Sequence, residues 1–100
     1  MLDLKSKTIE VTQENIHQGV CENKESCAIA LALADAYKYE IDYVEVEACN
    51  SIKMSSPDDR WFWLNISEDD EKHVAEFIED FDNNKDVKPM SFKIDHIEEF

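Results

Sequence analysis

The segment that most constrains the fold is Cys27-Ala28-Ile29-Ala30-Leu31-Ala32-Leu33-Ala34-Asp35-Ala36-Tyr37. It is rich in helix formers, and Ser26 before it offers a hydroxyl suited to an N-cap, so a helix is predicted from this point. It falls far short of the roughly 20 apolar residues of a membrane span, as does every other stretch of the chain. Its small side chains suit close packing against a sheet. The rest of the sequence must therefore supply one.

Strand signals lie on both sides of this helix. Thr8-Ile9-Glu10-Val11 alternates with period two, and Thr12 then caps a helical turn that carries Ile16 and ends at Gly19. Tyr43-Val44-Glu45-Val46-Glu47-Ala48 alternates as a half-exposed strand, with Ser51 to Ser55 as its partner. Ser56-Pro57-Asp58-Asp59 is turn chemistry before the strand Arg60-Trp61-Phe62-Trp63-Leu64-Asn65-Ile66. Ser67-Glu68-Asp69-Asp70 starts a second long helix, whose Val74, Phe77, Ile78 and Phe81 form one apolar stripe before Asn83 and Asn84 end it. A short strand, Ser91 to Asp95, closes the pattern. The expected fold is α+β, a small, mostly antiparallel sheet packed against two main helices, in a single domain over residues 1–100. One hundred residues with 43% hydrophobic content suffice for one modest core.

Twenty-four acidic side chains against ten basic ones give a formal charge of −14. Such a chain repels nucleic acid and anionic membrane, so no direct nucleic-acid or membrane partner is expected. Disorder does not fit a sequence with one Gly, two Pro and ordered runs of aromatic and β-branched residues. Met1-Leu2-Asp3-Leu4-Lys5 lacks the plan of a signal peptide, and Cys21, Cys27 and Cys49 cannot all pair. A cytoplasmic protein with free, mostly buried thiols is the expectation.

The acids cluster. Glu68 to Asp82 contains eight carboxylates against Lys72 alone, half of the net charge. At about 100° per residue, Asp69, Glu76, Glu79 and Asp80 lie opposite the apolar stripe, with Asp82 at the end of the row. Glu45 and Glu47 would add a second row at a spacing of roughly 6.8 Å, close to that of neighbouring phosphates on a nucleic-acid strand. If Asp42, Glu45 and Glu47 ran on into the helix face, the surface would imitate a phosphate backbone. The plain alternative is a solvated helix face and an ordinary polar strand face.

Other constellations are thinner. Trp61 and Trp63 alternate against Phe62, Leu64 and Ile66, so either both faces of that strand are covered or one is an interface, and large aromatics are more often core. His17 with Cys21 and Cys27 does not match a zinc-ligand knuckle, and Asp80 to Ser91 fails a calcium loop at Lys85 and Ser91. His73 with Asp69 or Glu76 offers a histidine beside carboxylates but no nucleophile or phosphate loop. No catalytic residue, metal or cofactor is expected.

Ile9-Glu10-Val11-Thr12, Ile16 and Gly19, Cys27 to Leu33, Phe77-Ile78-Glu79-Asp80-Phe81-Asp82 and Val87-Lys88-Pro89-Met90-Ser91-Phe92 resemble a set of small uncharacterised acidic proteins of phages and prophages. The opening and closing thirds carry the likeness and the middle does not. The resemblance implies a mobile-element origin, a compact α+β fold and action in the host cytoplasm. Small acidic phage proteins include anti-CRISPR inhibitors that resemble DNA in charge. The leading expectation is such a non-enzymatic inhibitor, with Asp42, Glu45, Glu47, Asp69, Glu76, Glu79, Asp80 and Asp82 contacting a basic nucleic-acid-binding protein or CRISPR effector complex. The alternatives are an interaction or homodimer module built on Trp61 and Trp63, and a small metal-dependent hydrolase.

Overall fold

A computed structural model of the chain describes residues 5–100; Met1 to Leu4, considered above for a leader sequence, lie outside them. The elements run β1 (Thr8–Val11), α1 (Gln13–Gln18), α2 (Ala28–Ala36), β2 (Tyr43–Ala48), β3 (Ser51–Ser55), β4 (Trp61–Ile66), α3 (Glu68–Asp82) and β5 (Met90–Glu99). The strands form one curled antiparallel sheet in the order β1-β5-β4-β3-β2, an α+β architecture of the expected class.

The position of α2 explains its composition. It packs against both β1 and β2, the two edge strands, so the sheet curls around it. Ala28, Ile29, Ala30, Ala32 and Leu33 are buried, and a helix covered on nearly all sides needs apolar residues on nearly all sides. The N-cap is Cys27 rather than Ser26: its Sγ accepts the Ala30 N–H at 3.5 Å. Beyond the C-terminus, Tyr37 is fully buried, and its hydroxyl donates to the Lys5 carbonyl at 2.7 Å. Burial pushes that phenol up to about 12.

Thr12 caps α1 as its spacing predicts. The Asn15 N–H donates to Thr12 Oγ1 and the Thr12 N–H to Asn15 Oδ1, a reciprocal capping box. Asn15 also donates to Asp35 Oδ2 at 3.0 Å, which ties α1 to α2. Gly19, the only glycine, follows with φ −68° and ψ 149°, a conformation open to any residue. Its requirement is space, because a Cβ there would lie 2.8 Å from the Ala28 nitrogen and 2.8 Å from Phe81 Cζ.

At the start of α3, the Ser67 hydroxyl does not cap the helix; it donates to Asp70 Oδ2 at 3.2 Å. The same carboxylate accepts the Lys93 N–H at 2.8 Å and so pins α3 to β5. That backbone bond, before the Ser67 and His73 contributions, holds the Asp70 carboxyl below its usual range. Val74, Phe77 and Phe81 face the core, and Asn83 and Asn84 end the helix, Asn84 with φ 60°.

β5 runs over ten residues, twice the expected length. Met90 to Lys93 pair with β1, and Ile94 to Glu99 pair with β4 on the other side. A register shift between Asn65 and Ile66 turns the Ile94-to-Ile97 spacing from two into three, which hides the second half from a period-two reading. The buried apolar side chains of sheet and helices form one continuous cluster.

Candidate interaction surface

β4 divides its aromatic residues between two environments. Phe62, Leu64 and Ile66 are buried in the core. Trp61 and Trp63 belong neither to that cluster nor to the side chains packed on it, and both are part-exposed. Trp61 and Trp63 therefore lie on the sheet face opposite the core, not beneath helices. There the Trp61 ring meets Tyr43 edge-on at 5.7 Å, and Phe100 stacks on Trp63 at 5.1 Å and leans on Trp61 at 6.3 Å. The Phe100 N–H donates to the Trp61 carbonyl at 3.0 Å and holds the last ring in place, though Phe100 remains 61% exposed. Lys53 Nζ sits 5.5 Å from the Trp63 ring centre.

The same face contains Glu45, and here the expected acidic row fails. Antiparallel register places Lys53 directly across from Glu45, and its ammonium reaches Oε2 at 3.1 Å. Lys24 reaches Oε1 at 3.2 Å, and the Tyr43 hydroxyl donates to the same oxygen at 2.9 Å. The carboxylate is 8% exposed. Lys53, then Tyr43 and Lys24, hold its pKa down at about 2. Burial, followed by this carboxylate, pushes the Tyr43 phenol up to about 12. Glu45 is thus a neutralised anchor beneath the aromatic patch rather than an open charge. Lys24 arrives because its own carbonyl accepts the Val46 N–H at 2.7 Å, closing the free edge of β2.

The other expected contact residues separate into groups. Asp42 is exposed at the foot of β2, where the Ser55 hydroxyl donates to it at 3.4 Å. On α3, Asp69, Glu76 and Glu79 are exposed, and among the described residues no cation stands within ion-pair distance of them. Asp80 pairs with Lys85 at 3.8 Å. Asp82 Oδ1 accepts the Glu22 N–H at 2.9 Å, and Asp82 shares the mouth of a cleft with Glu47. Of the strand row, only Glu47 comes near the helix row, and it does so at the end of α3.

His73 stands 3.6 Å from Asp70 and 3.2 Å from the Ser91 carbonyl on an open surface, so among the described residues the carboxylate within ion-pair distance is the one that anchors α3. The three cysteines are free, with Cys27 buried and its thiol pushed up by desolvation. Among the described residues no group of three His, Cys, Asp or Glu side chains is placed to hold a metal ion, and no helix is long and apolar enough to cross a membrane. Comparison with family models, curated proteins and solved structures returned no match.

The aromatic patch was half legible in sequence. The alternation of β4 identifies its two faces, but only the packing of the helices decides which face stays open. Phe100 and the Lys24 bridge arise from contacts across 37 and 21 positions, which no local pattern encodes.

Proposed function

We propose that this chain works by binding another protein through the open face of its sheet, with Trp61 and Trp63 as the anchors. One observation carries the reading: two indoles, with Tyr43 and Phe100 against them, are spent outside the core on a face that remains part-exposed. Large, rigid aromatic side chains bury much area at low entropic cost and dominate binding hot spots. The neutralised Glu45 beneath them lowers the acidity of this patch relative to α3, so the partner here need not be basic.

A second reading keeps the inhibitor expectation. Asp69, Glu76 and Glu79 project from α3 with no cation of the described residues within ion-pair distance, a row suited to a Lys- and Arg-rich site such as that of a nucleic-acid-binding effector. With Glu45 removed from the surface, this reading rests on the helix face and on the phage-protein resemblance.

One capture experiment separates the two. Trp61→Ala with Trp63→Ala should weaken partner binding by about 30-fold or more, as hot-spot truncations do, while Asp69→Lys with Glu76→Lys and Glu79→Lys leaves it near wild type. Loss on charge reversal alone would transfer the function to α3. Binding indifferent to both sets would remove both readings.

A further inference from the structure

Between the start of α2, the loop at residues 22–24, the end of β2 and the second half of α3 lies a cleft of about 490 Å³, within the size range of small-molecule sites. Its floor is apolar, formed by Ile29, Val46 and the parallel rings of Phe77 and Phe81, whose centres are 6.1 Å apart at 6°. The Cys27 thiol completes the floor, and desolvation keeps it in the neutral form. The cleft lies on the helix-covered side of the sheet, where Val46 faces the core, and does not involve the aromatic patch.

The rim decides the charge of an occupant. Glu22, Glu47 and Asp82 stand around the mouth with one cation, Lys24. Lys24 is already shared, 3.2 Å from the buried Glu45 and 3.7 Å from Glu47, so its charge is largely spent within the fold. The N-terminus of α2 also opens on the floor and contributes about half a positive charge, which favours anions. One of its free donors is already used, since the Ala30 N–H goes to Cys27 Sγ. Three carboxylates outweigh this half charge, and the local potential at the mouth is negative, in keeping with the chain's −14.

From this combination we infer that the cleft is a binding site for a small organic cation, an amine with an apolar body that enters between α2 and α3 and an ammonium that stays at the Glu47 and Asp82 rim. The inference is independent of the protein-binding reading above.

The test is an amide NMR titration of the full chain with tryptamine, run beside indole-3-acetate, which has a similar body and the opposite charge. Tryptamine should shift the Ile29, Val46 and Ile78 amides and saturate at about millimolar concentration. Glu47→Gln and Asp82→Asn should each weaken it by about two- to fivefold, the scale of an exposed charge pair. Asp82→Asn keeps the oxygen that accepts the Glu22 N–H, so the fold is retained, and an unchanged urea midpoint verifies this. Ile78→Trp, on the part-exposed wall, should block entry. Equal binding of the two probes, preference for indole-3-acetate, shifts confined to Trp61 and Trp63, or no saturable shift with either probe would each overturn the inference.

Discussion

Replacing Gly19 by Ala tests how tightly the α1–α2 corner is built. The glycine backbone is in an ordinary extended conformation, so a loss of stability cannot come from a forbidden φ and must come from contact. The added Cβ would meet Ala28 N at 2.8 Å, Phe81 Cζ at 2.8 Å and Asn15 O at 2.9 Å. Two of these atoms are backbone. Asn15 O already accepts the Gly19 N–H at 2.9 Å, and Ala28 is the first residue of the buried helix, so neither withdraws by a rotamer change. The Phe81 ring is buried and stacked on Phe77. Overpacking costs about 1–3 kcal/mol, against a gain of about 0.4–1 kcal/mol from a stiffer unfolded chain. With rigid neighbours on two sides, the expected net loss is about 2 kcal/mol. That is a fall of roughly 8–16 °C in Tm for a domain of this size, or about 1 M in the urea midpoint with the slope unchanged. Phe81→Leu removes one of the three collisions, so it should cost about 1 kcal/mol less in the Gly19→Ala background than in the wild type. A Gly19→Ala protein within about 0.5 kcal/mol of wild type, or a cycle without coupling, would show that this corner yields easily and refute the reasoning.

Lys53→Met should raise the Glu45 pKa from about 2 by roughly one unit or more, read from its side-chain carboxyl resonance, since Lys53 is the first cause of the depression. The sign follows from linkage. A depressed carboxyl pKa stabilises the fold above the unfolded value near 4.5, and this contribution fades as pH falls from 4.5 through about 2, so the variant should lose its share at higher pH. Phe62→Ala and Trp63→Ala, neighbours on opposite faces of β4, should differ sharply in urea unfolding: about 3–5 kcal/mol for the buried ring, and well under half of that for the indole outside the core. Equal losses would mean that the Trp face is as tightly packed as the core.

Much of the fold is legible because several local signals agree at once. Thr12 caps the start of α1, period-two runs mark β2 and β4, and the Val74, Phe77 and Phe81 stripe orients α3. The caps of α2 and α3 differ in detail from the local preference, although Ser67 does stand at the N-cap of α3. Ser26 is the better capping side chain by propensity, yet Cys27 takes the position, and Ser26 instead accepts the Val20 N–H through its carbonyl at 2.8 Å. The hydroxyl of Ser67 is drawn to Asp70 because that carboxylate also holds the Lys93 N–H across the α3–β5 junction. The first is a contact within the 20–26 loop and the second depends on a tertiary bond from β5, and each overrides a capping preference.

The interaction surface was harder to read because exposure belongs to pairs of segments, not to single ones. In the alternation of β2, Glu45 and Glu47 are equivalent positions two residues apart. The fold makes them opposites: Glu45 is 8% exposed between two lysines and a tyrosine hydroxyl, and Glu47 is 49% exposed at the cleft mouth. What separates them is the β2–β3 register, which puts Lys53 across from Glu45 and leaves Glu47 at the irregularity between Val46 and Ala48, without a directly opposed residue. A one-residue change in that register would exchange the faces of the whole strand, turning Glu45 toward the apolar core and Val44 and Val46 out to the open face. The buried carboxylate therefore also specifies the hairpin, since only the observed register gives it a cation from each side, Lys24 at the edge and Lys53 from within the sheet.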